Sequence, residues 1–127
     1  MSIRVLICDD AVFMRAAIGA ALAAAGHEVV GEAATGEQAV ELFRTHRPDL
    51  VTMDIVMPGG SGVDAVRRIR EIDPGARVVM VTAMGQETLV QQAREAGASA
   101  FLVKPFTPPT LIAQVERALV APLAPGA

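Results

Sequence analysis

The chain has 127 residues, 52% hydrophobic and 20% charged, which predicts a single folded domain and excludes an intrinsically disordered segment. Eleven Lys and Arg residues against fourteen Asp and Glu residues give a net charge of −3 without any basic run, which argues against sequence-nonspecific nucleic-acid binding. The longest uncharged apolar stretch, residues 16–26, is well below the roughly 18 residues that cross a bilayer, so we expect no membrane segment. The single cysteine, Cys8, has no partner for an internal disulfide, and we expect a cytoplasmic protein in which this thiol is buried and inert.

Short β-branched runs alternate with longer segments of helical periodicity along the whole chain. This alternation is typical of an α/β fold in which crossover helices connect the strands of a parallel sheet. In the first half, a strand is predicted at residues 3–8, a helix at 12–25 closed by Gly26, a strand at 27–33, a helix at 35–47 and a strand at 50–53. In the second half, a helix is predicted at residues 61–73, a strand at 78–82, a helix at 87–96, a strand at 100–103 and a helix at 107–120.

Local patterns add detail to several of these elements. Thr35 with Gln38 three residues later forms a capping-box pattern that opens the second helix. Thr107 precedes two prolines, a combination that suits the first turn of the last helix. The strand at 27–33 is interrupted by charged residues and a glycine, which favours the sheet edge, whereas the uniformly β-prone strand at 78–82 is predicted to be buried on both faces.

The third and fourth predicted helices differ in how firmly their side chains anchor them. In the helix at 61–73 we expect the valine and isoleucine positions to face the core and three arginines to form a solvated face: Arg67, Arg68 and Arg70. The apolar set of the helix at 87–96 is limited to Leu89, Val90, Ala93 and Ala96. Because it has so little side-chain area to bury, this helix is predicted to be a low-stability element that can shift between two packings.

Polar residues stand where four of the predicted strands end. They are Asp9, Asp10, Asp54, Thr82 and Lys104. Right-handed crossovers place the carboxyl ends of parallel strands on one edge of the sheet, so we expect these side chains to meet there. Three adjacent carboxylates repel one another, and an all-oxygen ligand set favours a hard cation such as Mg²⁺, which usually completes its coordination with a substrate phosphate. The pattern therefore predicts a Mg²⁺ cofactor and phosphoryl chemistry.

Five short motifs at these strand ends also occur together in a known family. They are DD at 9–10, D-x-x-MP at 54–58, Gly62, TA at 82–83 and KP at 104–105. Together they make residues 3–120 resemble the receiver domain of bacterial two-component response regulators, and the segments 9–15 and 82–106 look most like stand-alone chemotaxis regulators of the CheY type. The resemblance implies a flavodoxin-like, CheY-like α/β fold, a single doubly wound sheet of five parallel strands in the order 2-1-3-4-5 with five helices. We expect residues 1–121 to form the receiver domain and residues 122–127 to form a flexible Pro/Ala tail.

The resemblance assigns the metal and phosphoacceptor roles residue by residue. Asp54 would be the nucleophile that accepts a phosphoryl group from the phosphohistidine of a sensor histidine kinase. Asp10 and Asp54 would bind Mg²⁺ directly, and Asp9 would act through a water molecule. The backbone carbonyl of Val56 would complete the protein ligands.

The same resemblance assigns a switch to the residues around the phosphoryl group. Lys104 would pair with phosphoryl oxygens, and Thr82, next to Ala83, would move to hydrogen-bond another. Phe101 would then turn inward and change the surface formed by the fourth helix, the fifth strand and the fifth helix. The peptide bond before Pro105 is expected to be cis. Phe101 stands where close relatives often have tyrosine, so we expect no signal that depends on a phenolic hydroxyl. A plain core aromatic is the alternative interpretation of this position.

The resemblance also implies partners and a reaction class. The partners are a CheA-like sensor histidine kinase and an output protein such as the flagellar motor switch. A phosphatase is a possible third partner. We expect a monomer that binds neither nucleic acid nor membrane and acts as a signalling module, not as a turnover enzyme. Val56 and Met84 are apolar where some relatives carry polar groups that position an attacking water, so we expect slow autodephosphorylation. His27 and His46 are expected to be surface residues.

Three other functions stay open at this point. The receiver resemblance is compatible with the N-terminal part of a longer transcriptional or enzymatic regulator. A metal-dependent phosphatase or phosphotransferase with an Asp nucleophile is a second alternative, although Val56 stands where haloacid-dehalogenase-type enzymes have a second Asp as acid/base. A flavin carrier on the same fold is the third, and it is the weakest because the chain has no Trp or Tyr to stack a flavin.

Overall fold

The computed structural model describes residues 2–83 and 85–123, in which a sheet of five parallel strands is combined with five helices. The strands of the sheet are β1 (Arg4–Cys8), β2 (Glu28–Ala33), β3 (Leu50–Met53), β4 (Val78–Thr82) and β5 (Ala100–Val103). They lie in the order β2-β1-β3-β4-β5, and every neighbouring pair is parallel. The helices are α1 (Val12–Ala24), α2 (Gly36–His46), α3 (Gly62–Ile72), α4 (Glu87–Ala96) and α5 (Pro108–Val120). The predicted fold class and strand order are confirmed.

Two strands have the environments that their composition predicts. β2 lies at one edge of the sheet, and its residues are exposed or half-buried until the strand ends at Ala33. β4 lies between β3 and β5, and all five of its residues are buried. A continuous run of β-branched and apolar residues fits such an interior strand because helices cover both of its faces.

Helices on both faces of the sheet form two hydrophobic cores. One core joins β-strand side chains to α1 and α5 and includes Ile7, Leu22 and Leu111, all of them fully buried. The other lies under α2, α3 and α4 and includes Phe43 and Ile69. Burial of these apolar side chains, worth about 25 cal/mol per Å² removed from water, holds the helices against the sheet. Because all five strands are parallel, the loops that follow them lie at one edge of the sheet.

Side-chain caps begin three of the helices, as their sequences predict. The Thr35 hydroxyl accepts a hydrogen bond from the Gln38 amide at the start of α2. Ser61 caps α3 in the same way, through the amide two residues later. Thr107 and Thr110 form a reciprocal capping box at the start of α5, where prolines occupy the first turn. Each cap satisfies a backbone amide that the first turn of a helix leaves without an intrahelical partner.

The segment between β3 and α3 contains a feature that the sequence did not predict. Two-residue strands, Val56–Met57 and Gly60–Ser61, pair with each other in antiparallel orientation. Gly59, in the turn between them, and Gly60, which begins the second strand, have φ angles of +82° and +142°, which glycine adopts without a Cβ penalty. Strands this short contain no periodicity that a sequence pattern can reveal.

Arg70 does not belong to the solvated face predicted for α3. Arg68 is exposed and Arg67 is half-buried, but Arg70 is only 4% exposed and its Nη1 donates to the Gly97 carbonyl at 2.8 Å. Position 70 lies four residues after Val66 and therefore on the same buried stripe of the helix. The prediction was wrong here because it followed the charge of the side chain and not the helical period.

A few sequence expectations concern the chain ends and the histidines. Pro122 and Leu123, at the start of the predicted tail, are exposed, while residues 124–127 and Met84 lie outside the described residues. His27 and His46 are half-buried and not fully exposed, and His27 Nδ1 accepts a hydrogen bond from the Ile3 amide at 3.3 Å. Within the described residues, no helix combines the length and the apolar character needed to cross a bilayer.

Thr52 in β3 carries a buried hydroxyl that provides a test of core energetics. The residue is 1% exposed, and within the described residues its Oγ1 has no hydrogen-bond partner. Valine has nearly the same shape without the polar group. We therefore expect Thr52→Val to raise the free energy of unfolding by about 1 kcal/mol, the lower end of the cost of an unsatisfied buried group. Urea denaturation followed by circular dichroism measures the change.

The control for this substitution is Thr45→Val on the exposed surface of α2. The Thr45 hydroxyl donates to the Glu41 carbonyl at 3.1 Å, so no unsatisfied group is removed there. We expect no gain in stability from this variant. A Thr52→Val protein that is no more stable than the wild type would contradict the prediction.

Candidate functional site

An ammonium group lies between two carboxylates at the carboxyl edge of the sheet. Lys104 Nζ, just after β5, donates to Asp9 Oδ2 at 2.6 Å and to Asp54 Oδ2 at 3.1 Å. Asp9 follows β1 and is 1% exposed, and Asp54 follows β3 and is 7% exposed. The fold thus brings together residues that are 95 and 50 positions apart in the chain. The expected meeting of these three strand-end residues is what the structure shows.

Asp9 is held by its backbone as well as by its side chain. Its amide donates to the Ala33 carbonyl of β2 at 2.9 Å, and its Oδ1 accepts from the Ala11 amide at 2.9 Å. Its other carboxylate oxygen is the one that accepts from Lys104. Both oxygens of this buried carboxylate therefore have fixed partners, as a charged group out of water requires.

A third carboxylate, that of Asp10, completes an acidic cluster with Asp9 and Asp54. One oxygen from each of the three lies within 4.8 Å of the others, and Asp10 is exposed where the other two are buried. Two like charges about 4 Å apart repel by roughly 1 to 4 kcal/mol, and Lys104 offsets only part of this repulsion. The donors are all oxygen, which is the chemistry that Mg²⁺ prefers. The residues present therefore fit a Mg²⁺ ion.

The ionisation of Lys104 reflects competition between burial and attraction. Burial by itself lowers the pKa of the ammonium, but the hydrogen bonds and charges of Asp9 and Asp54 outweigh it and raise the pKa above its ordinary value. The ion pairs are therefore fully formed below the ordinary lysine pKa and are lost only as the pH rises through the raised one. Lys104 is consequently positive throughout the neutral range.

Thr82 ends β4 and is followed by Ala83, and Pro105 follows Lys104 after β5. Thr82 is fully buried at the end of β4, and its carbonyl accepts from the Lys104 amide at 2.8 Å. This backbone bond ties the ends of β4 and β5 together. Ala83 is exposed beside Thr82. The Lys104–Pro105 peptide bond is cis.

Val56 and Phe101 have different surroundings. Val56 is 59% exposed, and its amide is 3.4 Å from Asp54 Oδ1, so its backbone lies at the site. The role of its carbonyl as a Mg²⁺ ligand stays a prediction. Phe101 in β5 is half-buried, packs against the core under α2, α3 and α4, and lines an open cavity of about 320 Å³ between α4 and α5.

Cys8 immediately precedes the acid pair and is buried. Burial raises the pKa of the thiol well above its ordinary value, and the charge of Asp9 adds to the effect. The thiol stays protonated at neutral pH and is therefore a poor nucleophile. This agrees with the expectation of an inert side chain at this position.

Close contact with the backbone of Asp54 explains why position 62 is a glycine. It is the first residue of α3, and its amide donates to the Ile55 carbonyl at 2.7 Å. A Cβ at this position would overlap the carbonyl oxygen of Asp54 and lie 2.8 Å from its carbonyl carbon. Only glycine lets α3 begin directly against the backbone that carries Asp54.

One residue at this edge is absent from the predicted site. Arg15, in α1, donates from Nη1 to the Asp9 carbonyl at 2.7 Å and pairs through Nε with Glu32 at 3.0 Å. A basic residue near the start of a helix is unfavourable for the helix dipole. An arginine near the start of a helix and shortly after an acid pair therefore indicates that its side chain has a hydrogen-bonding or acidic partner nearby.

Comparisons with known protein sequences identify the family of this chain. The family described as "Response regulator receiver domain" matches residues 5–116. The chain is 46% identical over 117 residues to the chemotaxis protein CheY of Thermotoga maritima. The aligned residues make up 92% of this chain and 98% of the relative. It is 48% identical over 119 residues to CheY of Bacillus subtilis, and the aligned residues make up 94% of this chain and 99% of that relative.

Solved structures of response regulator proteins are also similar to this chain. A CheX-CheY-BeF3-Mg+2 complex from Borrelia burgdorferi is similar with a TM-score of 0.89 and 36% identity, covering 92% of this chain and 89% of that one. The response regulator domain of Thermotoga maritima CheB is similar with a TM-score of 0.88 and 32% identity, covering 96% and 100%. This chain therefore belongs to the response regulator receiver domain family of two-component signalling and is CheY-like over nearly its whole length.

Proposed function

We propose that this chain accepts a phosphoryl group on Asp54 in a Mg²⁺-dependent reaction and passes the signal to a partner protein. The observation that carries the proposal is the grouping of the Asp54 carboxylate with two further carboxylates and with the Lys104 ammonium. This arrangement offers a nucleophilic oxygen, a site for a cation and a fixed positive charge within a few ångströms. Phosphoryl transfer needs mainly alignment and charge neutralisation, and these groups supply both.

The chain's own residues align the acceptor and neutralise its charge. Asp10, Asp54 and the Val56 carbonyl would hold Mg²⁺ directly, with Asp9 acting through a water molecule, and the bound ion would screen the negative charge of the phosphoryl group. Lys104 keeps Asp54 Oδ2 in place and is positive at neutral pH. An Asp54 oxygen forms a bond to phosphorus as the phosphorus–nitrogen bond of a phosphohistidine donor breaks. The product is an aspartyl phosphate on the protein. Because Val56 offers no acid/base group two residues after Asp54, we propose that the chain acts as a signalling module and not as a turnover enzyme.

The response to phosphorylation is proposed to run through Thr82 and Phe101. Thr82, next to Ala83, would move to bind a phosphoryl oxygen, and Phe101 would turn inward. The affected surface is formed by α4, β5 and α5 and includes the open cavity that Phe101 lines with Arg94 and Arg117. A change at this surface would alter its affinity for an output partner.

The partners follow from the CheY-like relatives. We propose a CheA-like sensor histidine kinase as phosphodonor and the flagellar motor switch as output, and the CheX-CheY complex supports a phosphatase as a third partner. The receiver would occupy residues 1–121 and act as a monomer. A cytoplasmic location is consistent with the free thiol of Cys8, which a reducing compartment maintains.

Intact-protein mass spectrometry after incubation with acetyl phosphate tests the proposed acceptor. We expect the wild type to gain the mass of one phosphoryl group only when Mg²⁺ is present. Asp54→Asn removes the nucleophile and is expected to abolish this gain. Asp64→Asn, on the exposed surface of α3, is the matched control and should react like the wild type. A phosphoryl adduct that persists in Asp54→Asn would show that a different residue is the acceptor.

The lifetime of the phosphoryl group is a second expected result. Val56, two residues after Asp54, is exposed and apolar, so its side chain cannot hydrogen-bond a water that attacks the phosphorus. We expect the adduct to last minutes after the donor is removed, and Val56→Asn to shorten this lifetime. Val120→Asn, far along α5 and 83% exposed, should leave the lifetime unchanged. A wild-type lifetime of only seconds without a phosphatase would contradict this prediction.

A further inference from the structure

Arg15 connects three elements beside the acidic cluster. From its place in α1 it donates through Nη1 to the Asp9 carbonyl after β1, at 2.7 Å. Its Nε pairs at 3.0 Å with Glu32, which lies near the end of β2. Its side chain is only 16% exposed, whereas that of Glu32 is 52% exposed. The guanidinium therefore bridges the end of β1 and the end of β2.

The bond to the Asp9 carbonyl fixes one peptide plane. A peptide group is planar, so the direction of the Asp9 carbonyl sets the direction in which the chain enters Asp10. Asp9 itself is already held by Ala33, Ala11 and Lys104. Asp10, in contrast, is exposed. The position of the Asp10 carboxylate therefore depends on the orientation of the peptide plane that precedes it.

We propose that Arg15 is a positioning residue that directs the Asp10 carboxylate toward Mg²⁺ by holding the Asp9–Asp10 peptide plane, with Glu32 orienting its guanidinium. This inference rests on the proposed function, in which Asp10 is a ligand of the cation. Groups that orient metal ligands in this way commonly change metal affinity by 10- to 100-fold when they are removed.

Two simpler explanations of the Arg15–Glu32 pair make different predictions. A surface ion pair that serves only stability contributes little, particularly with a half-exposed partner such as Glu32. A purely electrostatic role has the opposite sign, because Arg15 is a positive charge near a cation site and its removal would strengthen Mg²⁺ binding. Positioning alone predicts weaker Mg²⁺ binding when the positive charge is removed. The sign of the change therefore separates the explanations.

The test is a Mg²⁺ titration of the full chain followed by the amide shifts of Asp9 and Asp10 in nuclear magnetic resonance spectra. We expect Arg15→Met to weaken Mg²⁺ binding about tenfold. Arg15→Lys, which can restore one of the two contacts, should recover part of the loss, and Glu32→Gln should cause a smaller loss. Arg44→Met removes an exposed arginine of α2 that also pairs with a glutamate, and it should leave the affinity unchanged.

Two further measurements separate positioning from damage to the fold. The urea midpoint without Mg²⁺ should fall more for Arg15→Met than for Arg44→Met because the Asp9 carbonyl loses a hydrogen bond, so the Mg²⁺ affinities are compared under conditions in which both variants are fully folded. The rate of adduct formation with acetyl phosphate should fall in Arg15→Met at low Mg²⁺ and recover at saturating Mg²⁺. Equal or tighter Mg²⁺ binding by Arg15→Met, with a wild type that binds Mg²⁺ and forms the Asp54 adduct, would overturn this inference alone. A wild type that binds no Mg²⁺ and forms no adduct would overturn the proposed function and this inference together.

Discussion

Gly62→Ala is expected to lower the free energy of unfolding by about 3 kcal/mol, the upper end of the usual cost of overpacking. The added methyl group would overlap the carbonyl oxygen of Asp54 and would lie 3.0 Å from Ile55 Cα. These are backbone atoms, so no side chain can rotate away and the peptide of Asp54 itself has to move. We therefore also expect slower formation of the phosphoryl adduct in the folded fraction. Urea denaturation and the acetyl phosphate reaction measure the two effects.

Gly36→Ala is a matched control because Gly36 also begins a helix directly after a capping residue. A Cβ at Gly36 would lie 3.6 Å from Ala65 Cβ, which is an ordinary van der Waals contact. Alanine is favoured over glycine inside a helix by up to about 1 kcal/mol, so this variant should be as stable as the wild type or more stable. Equal effects of Gly36→Ala and Gly62→Ala would show that the contact with Asp54 does not govern the cost.

Gly97→Ala is the second substitution from which we expect a loss of about 3 kcal/mol, in the range of overpacked sites. Gly97 closes α4 with a φ of +108°, where an L-residue is strained by about 1 to 2 kcal/mol. In addition, the new Cβ would overlap Arg70 Nη1 and lie 3.0 Å from Arg70 Cγ and Cζ. The buried guanidinium packs directly on the glycine, and its Nη1 donates to the Gly97 carbonyl at 2.8 Å. Urea denaturation of the variant measures the loss.

A double-mutant cycle separates the strain at Gly97 from its collision with Arg70. Gly26→Ala provides the strain alone, because Gly26 has a φ of +88° and a Cβ there would meet nothing within 4 Å. Arg70→Met removes the guanidinium and leaves more space over Gly97. In that background we expect Gly97→Ala to cost no more than Gly26→Ala, which corresponds to a coupling of about 1 to 2 kcal/mol. Strictly additive losses would contradict the proposed collision.

The contact between Arg70 and Gly97 also bears on the expected mobility of α4. It lies at the C-terminal end of the helix, near the buried Ala93 and Ala96. At the other end, Gln86 is the N-cap residue and makes no side-chain cap hydrogen bond. A shift of α4 between two packings stays a prediction, and these contacts favour movement of its N-terminal end over its C-terminal end.

Most element bounds follow from local pattern and turn chemistry. The predicted bounds of β3, β4, α4 and β5 are those that the structure shows, because each begins and ends at a clear change of periodicity or at a helix cap. The hairpin at Val56–Met57 and Gly60–Ser61 is the exception, since two residues contain no period. Arg70 is another, because its charge favoured the surface although its place in the helical period favoured the core.

The amino-acid sequence by itself determined which polar residues stand at the strand ends, and parallel topology made their meeting predictable. Only the tertiary structure decided that Lys104 contacts both Asp9 and Asp54, that Arg15 binds the Asp9 carbonyl, and which backbone atoms exclude a side chain at Gly62. The physical reason is that periodicity and capping act between residues a few positions apart. Contacts such as these depend instead on how closely helices dock on the sheet, which is set by packing among residues far apart in the chain.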